Sequence, residues 1–521
     1  MYDLIIKNGS LIDGTGGAAF AADLAISGGK IARIAPQIDE DAVRVIDAAG
    51  LTVTPGFIDS HSHADSAILT FPDQVEKIEQ GITTSIAGQC GGTNAPISRD
   101  VDPATAGEIG GCGKRTDVYR TMGSFLRIAQ AVPQGANIAT MVGHRALRRA
   151  VMGNEYRAPT ADELAQMQAL LCEGIEAGAM GVSFGLIYPP SCYAQTDELI
   201  ALAQTAAGCG GMVTAHIRNE GDRLFEAVEE FLTVLRASGA RGVLSHHKAV
   251  GRKNWGKITE SLAMLDAAAA EGIEVWCDVY PYCASSTSIS TRFVPKELHA
   301  EGNAGIVRLL SDPEARSRLK AQAMARWGDN MDWILITQCR NHREYEGLRM
   351  PEIAARHGKD VYETVYDLIR DSGNQCNGCY FLMCEDDVET VLAHPRAMIG
   401  TDSGVAGRNT TYHPRLRGTF PRVLGRYVRE RGVTSLPEMI RKMTGLPTEV
   451  YGLRGKGRLA EGYDADICVF DAETIIDRAD YDACHLRAEG LTAVILGGEV
   501  VVEDAVYNGR RMGGVLLRGR S

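Results

Sequence analysis

Short β-branched runs separated by Gly and Asp turns open the chain, in DLIIKNGSLIDG, ADLAISGGKIARIA and VRVIDAAGLTVTPG. That alternation predicts hairpins. The C-terminal stretch returns to the same style, with ADICVF, LTAVILGGEVVVEDA and GGVLLRG and no long amphipathic helix between them. The two ends are therefore expected to build one small β domain, from residues 1–54 and 453–521, with 55–452 folding as one large insertion.

Within that insertion, short apolar runs alternate with longer segments of helical period, the pattern of parallel strands joined by crossover helices. Eight runs stand out: 53–59, 83–88, 137–143, 179–185, 212–217, 242–247, 274–280 and 397–402. Eight strand-then-helix units predict an α/β fold, a TIM (β/α)8 barrel beside a small β-sandwich domain. The helix in TADELAQMQALLCEGIEAG begins after Thr160 as cap and closes at Gly178, and ITESLAMLDAAAAEG ends at Gly272. A long interval, at about 282–396, separates the last two runs and carries one further apolar run, DWILITQ. It is expected to form a lid-like insertion over the barrel mouth.

Composition narrows the function classes. With 45% hydrophobic residues and 23% charged, the chain has the material for a large core and lies far from disordered sequences. A net charge of −12 offers no basic field for nucleic acid or anionic lipid. No apolar run is long enough to span a membrane, and no basic-then-apolar leader opens the chain, so a cytoplasmic location is expected. Thirteen cysteines without repeating spacing suit reduced thiols rather than a disulfide framework.

Barrel enzymes place functional groups at the C-terminal ends of their strands, and here that rim is rich in ligands. The first strand runs into Asp59-Ser60-His61-Ser62-His63, the second into Gln89-Cys90, the fifth carries His216, the sixth ends at His246-His247 and the eighth at Asp402. Histidines at i and i+2 on extended backbone point the same way, so His61 and His63 can grip one ion. The same alternation turns His247 away from His246. Cys90 gains weight from what is missing: the lysine that bridges two metals in many barrel hydrolases has only the badly placed Lys114 as a candidate between Cys90 and His216. A thiolate supplies the anionic ligand instead, and a His/Cys set suits zinc, with other metals open. Asp402 is the candidate general base, since a metal lowers the pKa of bound water and a nearby carboxylate takes its proton. The Arg145, Arg148 and Arg149 cluster is read as a solvated helix face, and His144 as a substrate contact or a support behind the site.

The constellation resembles the amidohydrolase superfamily, and more closely its N-acyl-D-amino-acid deacylase family, over essentially the full chain. GFIDSHSHAD, GQCG, SFGLIYPP, TAHIRNEGD, LSHHKAVG, DVYPY, IGTDSG, HPRLRGTFPR and GRLAEGYDADICVFD carry the resemblance together. It implies a zinc site built by Cys90, His216 and His246, a weaker second position near His61 and His63, and Asp402 as acid/base. It also implies hydrolysis of N-acyl-D-amino acids, with the stereochemical label resting on the resemblance alone. The free carboxylate of such a small-molecule substrate needs cations and hydroxyls. Lys248, Tyr188, Tyr282 and Arg415 are the candidates, the resemblance favouring Lys248 and Tyr188, and Arg292 is a candidate partner for an acidic side chain. The alternatives are a cyclic amidase of the dihydroorotase or hydantoinase type, against which the missing lysine counts, and a non-catalytic assembly protein, against which the full set of ligands counts. Oligomeric state is not legible.

Overall fold

The computed structural model describes residues 1–109, 111–405 and 413–519. Eight parallel strands form the barrel: Phe57–Asp59, Ile82–Ala87, Asn137–Thr140 continued by Val142–Gly143, Gly181–Gly185, Met212–His216, Gly242–Leu244, Val275–Val279 and Ala397–Ile399. Closure is made where the Ser60 amide donates to the Ile399 carbonyl at 3.1 Å. These strands are buried along nearly their whole length, which explains why they read as continuous apolar runs.

The first predicted run divides between two sheets. Thr52–Pro55 pairs antiparallel with Ile467–Phe470 in the β domain, and only Phe57–Asp59 enters the barrel. Gly56 makes the junction, where a Cβ would lie 2.2 Å from Thr83 Oγ1. The β domain draws strands from both chain ends into one nine-stranded sheet. Strands far apart in its order share one core, Leu24 and Ile26 packing with Ile467, Ile495 and Val500, so the sheet folds over as a sandwich. The expectation of simple hairpins needs correction, since Ala42–Asp47 and Thr52–Pro55 both pair parallel with Tyr2–Leu11.

Helix capping follows the sequence signals. Ala161–Ala177 opens with a Thr160/Glu163 capping box and closes on Gly178, and Lys257–Ala270 ends two residues before Gly272. The insertion between the seventh and eighth barrel strands carries a three-stranded antiparallel sheet, Ser285–Ser288, Cys376–Tyr380 and Ile334–Cys339, flanked by helices. One disulfide, Cys172–Cys209, links two neighbouring barrel helices. Reduced thiols throughout is thus corrected at that pair. Among the described residues no helix is long and apolar enough to cross a membrane.

Candidate active site

Cys90 lies at the centre of the barrel mouth. Its Sγ is 3.3 Å from His246 Nε2, 3.4 Å from His61 Nε2 and 3.7 Å from His216 Nδ1. Each side chain comes from the end of a different barrel strand, and the strands are hydrogen-bonded on both sides, so the spacing is set by the sheet. His63 Nε2 lies 3.0 Å from Asp402 Oδ1, and His61 Nε2 3.5 Å from the same oxygen. Three of these residues adopt left-handed backbone, Cys90 at φ 53°, His246 at φ 38° and Asp402 at φ 48°. Such conformations cost non-glycine residues energy and cluster where a side chain must be aimed.

Burial pushes the Cys90 thiol up, but the His246 and His61 imidazoles outweigh it and hold the thiol well below its ordinary range. Burial likewise opposes ionisation of Asp402, yet Arg415, whose Nη1 donates to Oδ2 at 2.7 Å, and His246 keep its carboxyl well below the usual range. His63 rises to about 9 against the pull of burial, through its hydrogen bond to Asp402 and the neighbouring Cys90. The ligand atoms of His61, Cys90, His246 and Asp402 lie within 4.8 Å of one another, as do those of His216, Glu220 and His246. His216 Nε2 is buried without a hydrogen-bond partner among the described residues. Two anions and several imidazoles, buried together with one ring nitrogen unsatisfied, are a donor set that fits zinc.

Glu220, Asp278 and Tyr280 complete the site and were not singled out in the sequence. Lys248 Nζ donates to Glu220 Oε1 at 2.7 Å and lies 2.6 Å from His246 Nδ1. Asp278, near the end of the seventh strand, accepts from the His246 amide at 2.7 Å and pairs with His61 Nδ1 at 3.2 Å. A buried Asp inside the apolar run EVWCDVY was the signal for it. Tyr280 lies between two cations, its ring 4.7 Å from the Arg415 guanidinium and 5.4 Å from Lys248 Nζ. Tyr188 packs edge-on to His216 at 5.2 Å, and Thr287 of the insertion donates to its hydroxyl at 3.5 Å. Tyr282 goes elsewhere, under Arg422 and 5.0 Å from His413. Arg292 stacks on Tyr380 at 4.4 Å and donates to Ser285 Oγ at 3.1 Å, lining a separate cavity of about 320 Å³.

The cavity beside Cys90 measures about 520 Å³ and is walled by the barrel rim on one side and by Ser286, Thr287, Ser288 and Asn377 of the inserted sheet on the other. His247 turns away, 2.9 Å from Ser261 Oγ, and burial lowers it to about 3. His144 is fully buried, with Nδ1 2.6 Å from Ser191 Oγ and Nε2 2.9 Å from Glu198, so it stands behind the Tyr188 loop. The solvated-face reading of Arg145, Arg148 and Arg149 fails. Arg148 is fully buried against Glu198 at 2.5 Å, and Arg145 lines the cavity beside Cys90. The helix packs against its barrel neighbours, so its polar face meets Glu198 and Asn154, and only its first turn reaches the cavity beside Cys90.

The chain matches the amidohydrolase family over residues 44–291 and 354–502. It belongs to that family. It is 38% identical to the N-acyl-D-glutamate deacylase of Alcaligenes xylosoxydans xylosoxydans, covering 100% of this chain and 97% of the relative. To the D-aminoacylase of the same organism it is 36% identical, covering 99% and 98%. Among solved structures, the N-acyl-D-glutamate deacylase of Bordetella bronchiseptica superposes with a TM-score of 0.84 at 37% identity, covering 99% of both chains. That structure holds zinc and a phosphonate inhibitor that mimics the tetrahedral intermediate. This amidohydrolase shares with such relatives a full-length fold and not merely a domain.

Proposed function

We propose that this amidohydrolase hydrolyses the amide bond of N-acyl-D-amino acids, releasing a carboxylate and a free D-amino acid. The observation that carries the reading is the convergence of Cys90 Sγ with three imidazole nitrogens directly beneath Asp402. Cys90, His216 and His246 would hold one zinc ion tightly, and His61 and His63 a second, weaker one. Bound there, zinc supplies Lewis acidity, polarising the acyl carbonyl and acidifying water. Asp402 accepts the proton of the attacking water and delivers it to the departing nitrogen. His63 fixes the direction of that carboxylate through Oδ1, and Arg415 keeps it ionised through Oδ2. Lys248, Tyr188 and Arg415 supply charge and hydroxyl for the substrate carboxylate. Tyr282 and Arg292 would take part from farther out, Arg292 meeting an acidic side chain only after leaving the Tyr380 ring.

The reading divides the chain near residues 54 and 452, treats about 282–396 as the wall over the mouth, and places the enzyme in the cytoplasm with a small molecule as its partner. Amine release from paired N-acetyl-D- and N-acetyl-L-amino acids tests it. Release from the D series alone, lost in Asp402→Asn, is expected. Cleavage of cyclic amides with none of the linear series would favour a cyclic amidase instead.

A further inference from the structure

Arg145 is the one guanidinium lining the cavity beside Cys90. It is the second residue of the helix His144–Met152, which has no acidic residue in its first turn. Its amide donates to the Gly91 carbonyl at 3.0 Å, directly after Cys90, and its guanidinium lies 5.7 Å from the Tyr188 ring centroid. Among the described residues that guanidinium makes no hydrogen bond and no ion pair. The contrast with Arg148 one turn on, whose two terminal nitrogens are held by Glu198 and the Arg157 carbonyl, is direct.

A cation at a helix N-terminus without a carboxylate partner is poorly placed in energy, because the backbone amides there already present positive charge. Both the helix end and the side chain call for an anion. Asp65 lines the same cavity, but among the described residues no ion pair or hydrogen bond joins it to Arg145. Apart from His63 and Cys90, which belong to the site already described, the wall offers hydroxyls and amides, including Thr93, Asn94, Ser286 and Ser288, which orient a polar group without neutralising a charge.

We infer that Arg145 receives a second anionic group of the substrate, in addition to the α-carboxylate, and so selects substrates that carry one. The inference rests on the deacylase reading and deepens it. Two parts of an N-acyl amino acid supply such a group: an acidic side chain, or a dicarboxylic acyl chain such as succinyl. Arg292 does not compete for the same space, since it lines a different cavity and is stacked on Tyr380.

The test uses zinc-loaded full-length protein and three substrates: N-acetyl-D-glutamate, N-succinyl-D-methionine and N-acetyl-D-methionine. Each anionic substrate is compared with the neutral one as a ratio of kcat/KM, in wild type, Arg145→Met and Arg145→Lys. Arg145→Met is expected to lower one of the two ratios by roughly 100-fold, the loss usual for unpairing a desolvated charge, and which ratio falls identifies the source of the anion. Arg145→Lys is expected to recover part of the loss. Both ratios staying within a few-fold of wild type in Arg145→Met would overturn the inference. If wild type cleaves none of the three, the deacylase reading fails separately, and calorimetric binding of the same compounds decides for Arg145. Weaker binding of an anionic compound to Arg145→Met than to wild type then supports it, and equal or absent binding rejects it.

Discussion

Lys77 is a fully buried ammonium that ties the first barrel strand to the eighth beneath the active site. Its Nζ meets Asp59 Oδ2 at 2.9 Å, Thr401 Oγ1 at 2.6 Å, and the Ser403 carbonyl and hydroxyl at 2.9 and 3.0 Å. Asp59 also accepts from the Thr401 amide at 2.8 Å and from its hydroxyl at 2.7 Å. Both side chains are 0% exposed. At an effective dielectric near 20, unit charges at this separation attract by about 6 kcal/mol, most of which offsets their desolvation. Removing one partner leaves the other charged and unpaired, at a cost of about 3–5 kcal/mol. Lys77→Met is therefore predicted to destabilise by that amount. Adding Asp59→Asn should recover about 2 kcal/mol or more, because the amide keeps an acceptor for the Thr401 amide and carries no charge. The assay is urea unfolding followed by circular dichroism at fixed zinc, on wild type, both single variants and the double. Lys77→Met costing under about 1 kcal/mol, or strictly additive variants, would refute the reasoning.

Other consequences follow from the same geometry. Lys442 is buried with its ammonium on the Leu392 carbonyl, and burial lowers it to about 8. Between that value and its unfolded value near 10.4 the unfolded chain binds more protons, so stability should rise with pH across this window and be lowest below it. Lys442→Met should flatten the rise in denaturation midpoints. Arg415→Met removes the cation nearest Asp402, so the acid limb of kcat/KM should move to higher pH, and an unmoved limb would dissociate the pair from catalysis. Asp278→Ala frees His61 and the His246 amide together, and equilibrium dialysis should find zinc affinity lowered by about 10- to 100-fold.

Much of the fold was legible because barrel strands are buried on both faces and end in polar residues. That combination exposed all eight runs and, with them, His61, His63, Cys90, His216, His246 and Asp402 at the rim. Parity along a strand separated His246 from His247 correctly. At the seventh strand, position after an apolar run picked out Tyr282 as a candidate hydroxyl, but the residue facing Lys248 and Arg415 is Tyr280, and Tyr282 packs near His413. Glu220 was hidden because it reaches His246 from a loop, by a path that no periodicity encodes. The Ser/Thr-rich strand Ser285–Ser288 was missed because its half-exposed residues lack an apolar alternation. Arg145 was misread because helical period tells which residues share a face, not whether that face meets water or another part of the protein.

The most direct test of the central claim is a titration of zinc into metal-free protein while hydrolysis of an N-acetyl-D-amino acid is followed. The account predicts that activity appears with the first equivalent bound in wild type, and that Cys90→Ala neither binds it tightly nor gains activity. Full D-selective hydrolysis in metal-free protein, or zinc-dependent turnover undiminished in Cys90→Ala, would contradict it.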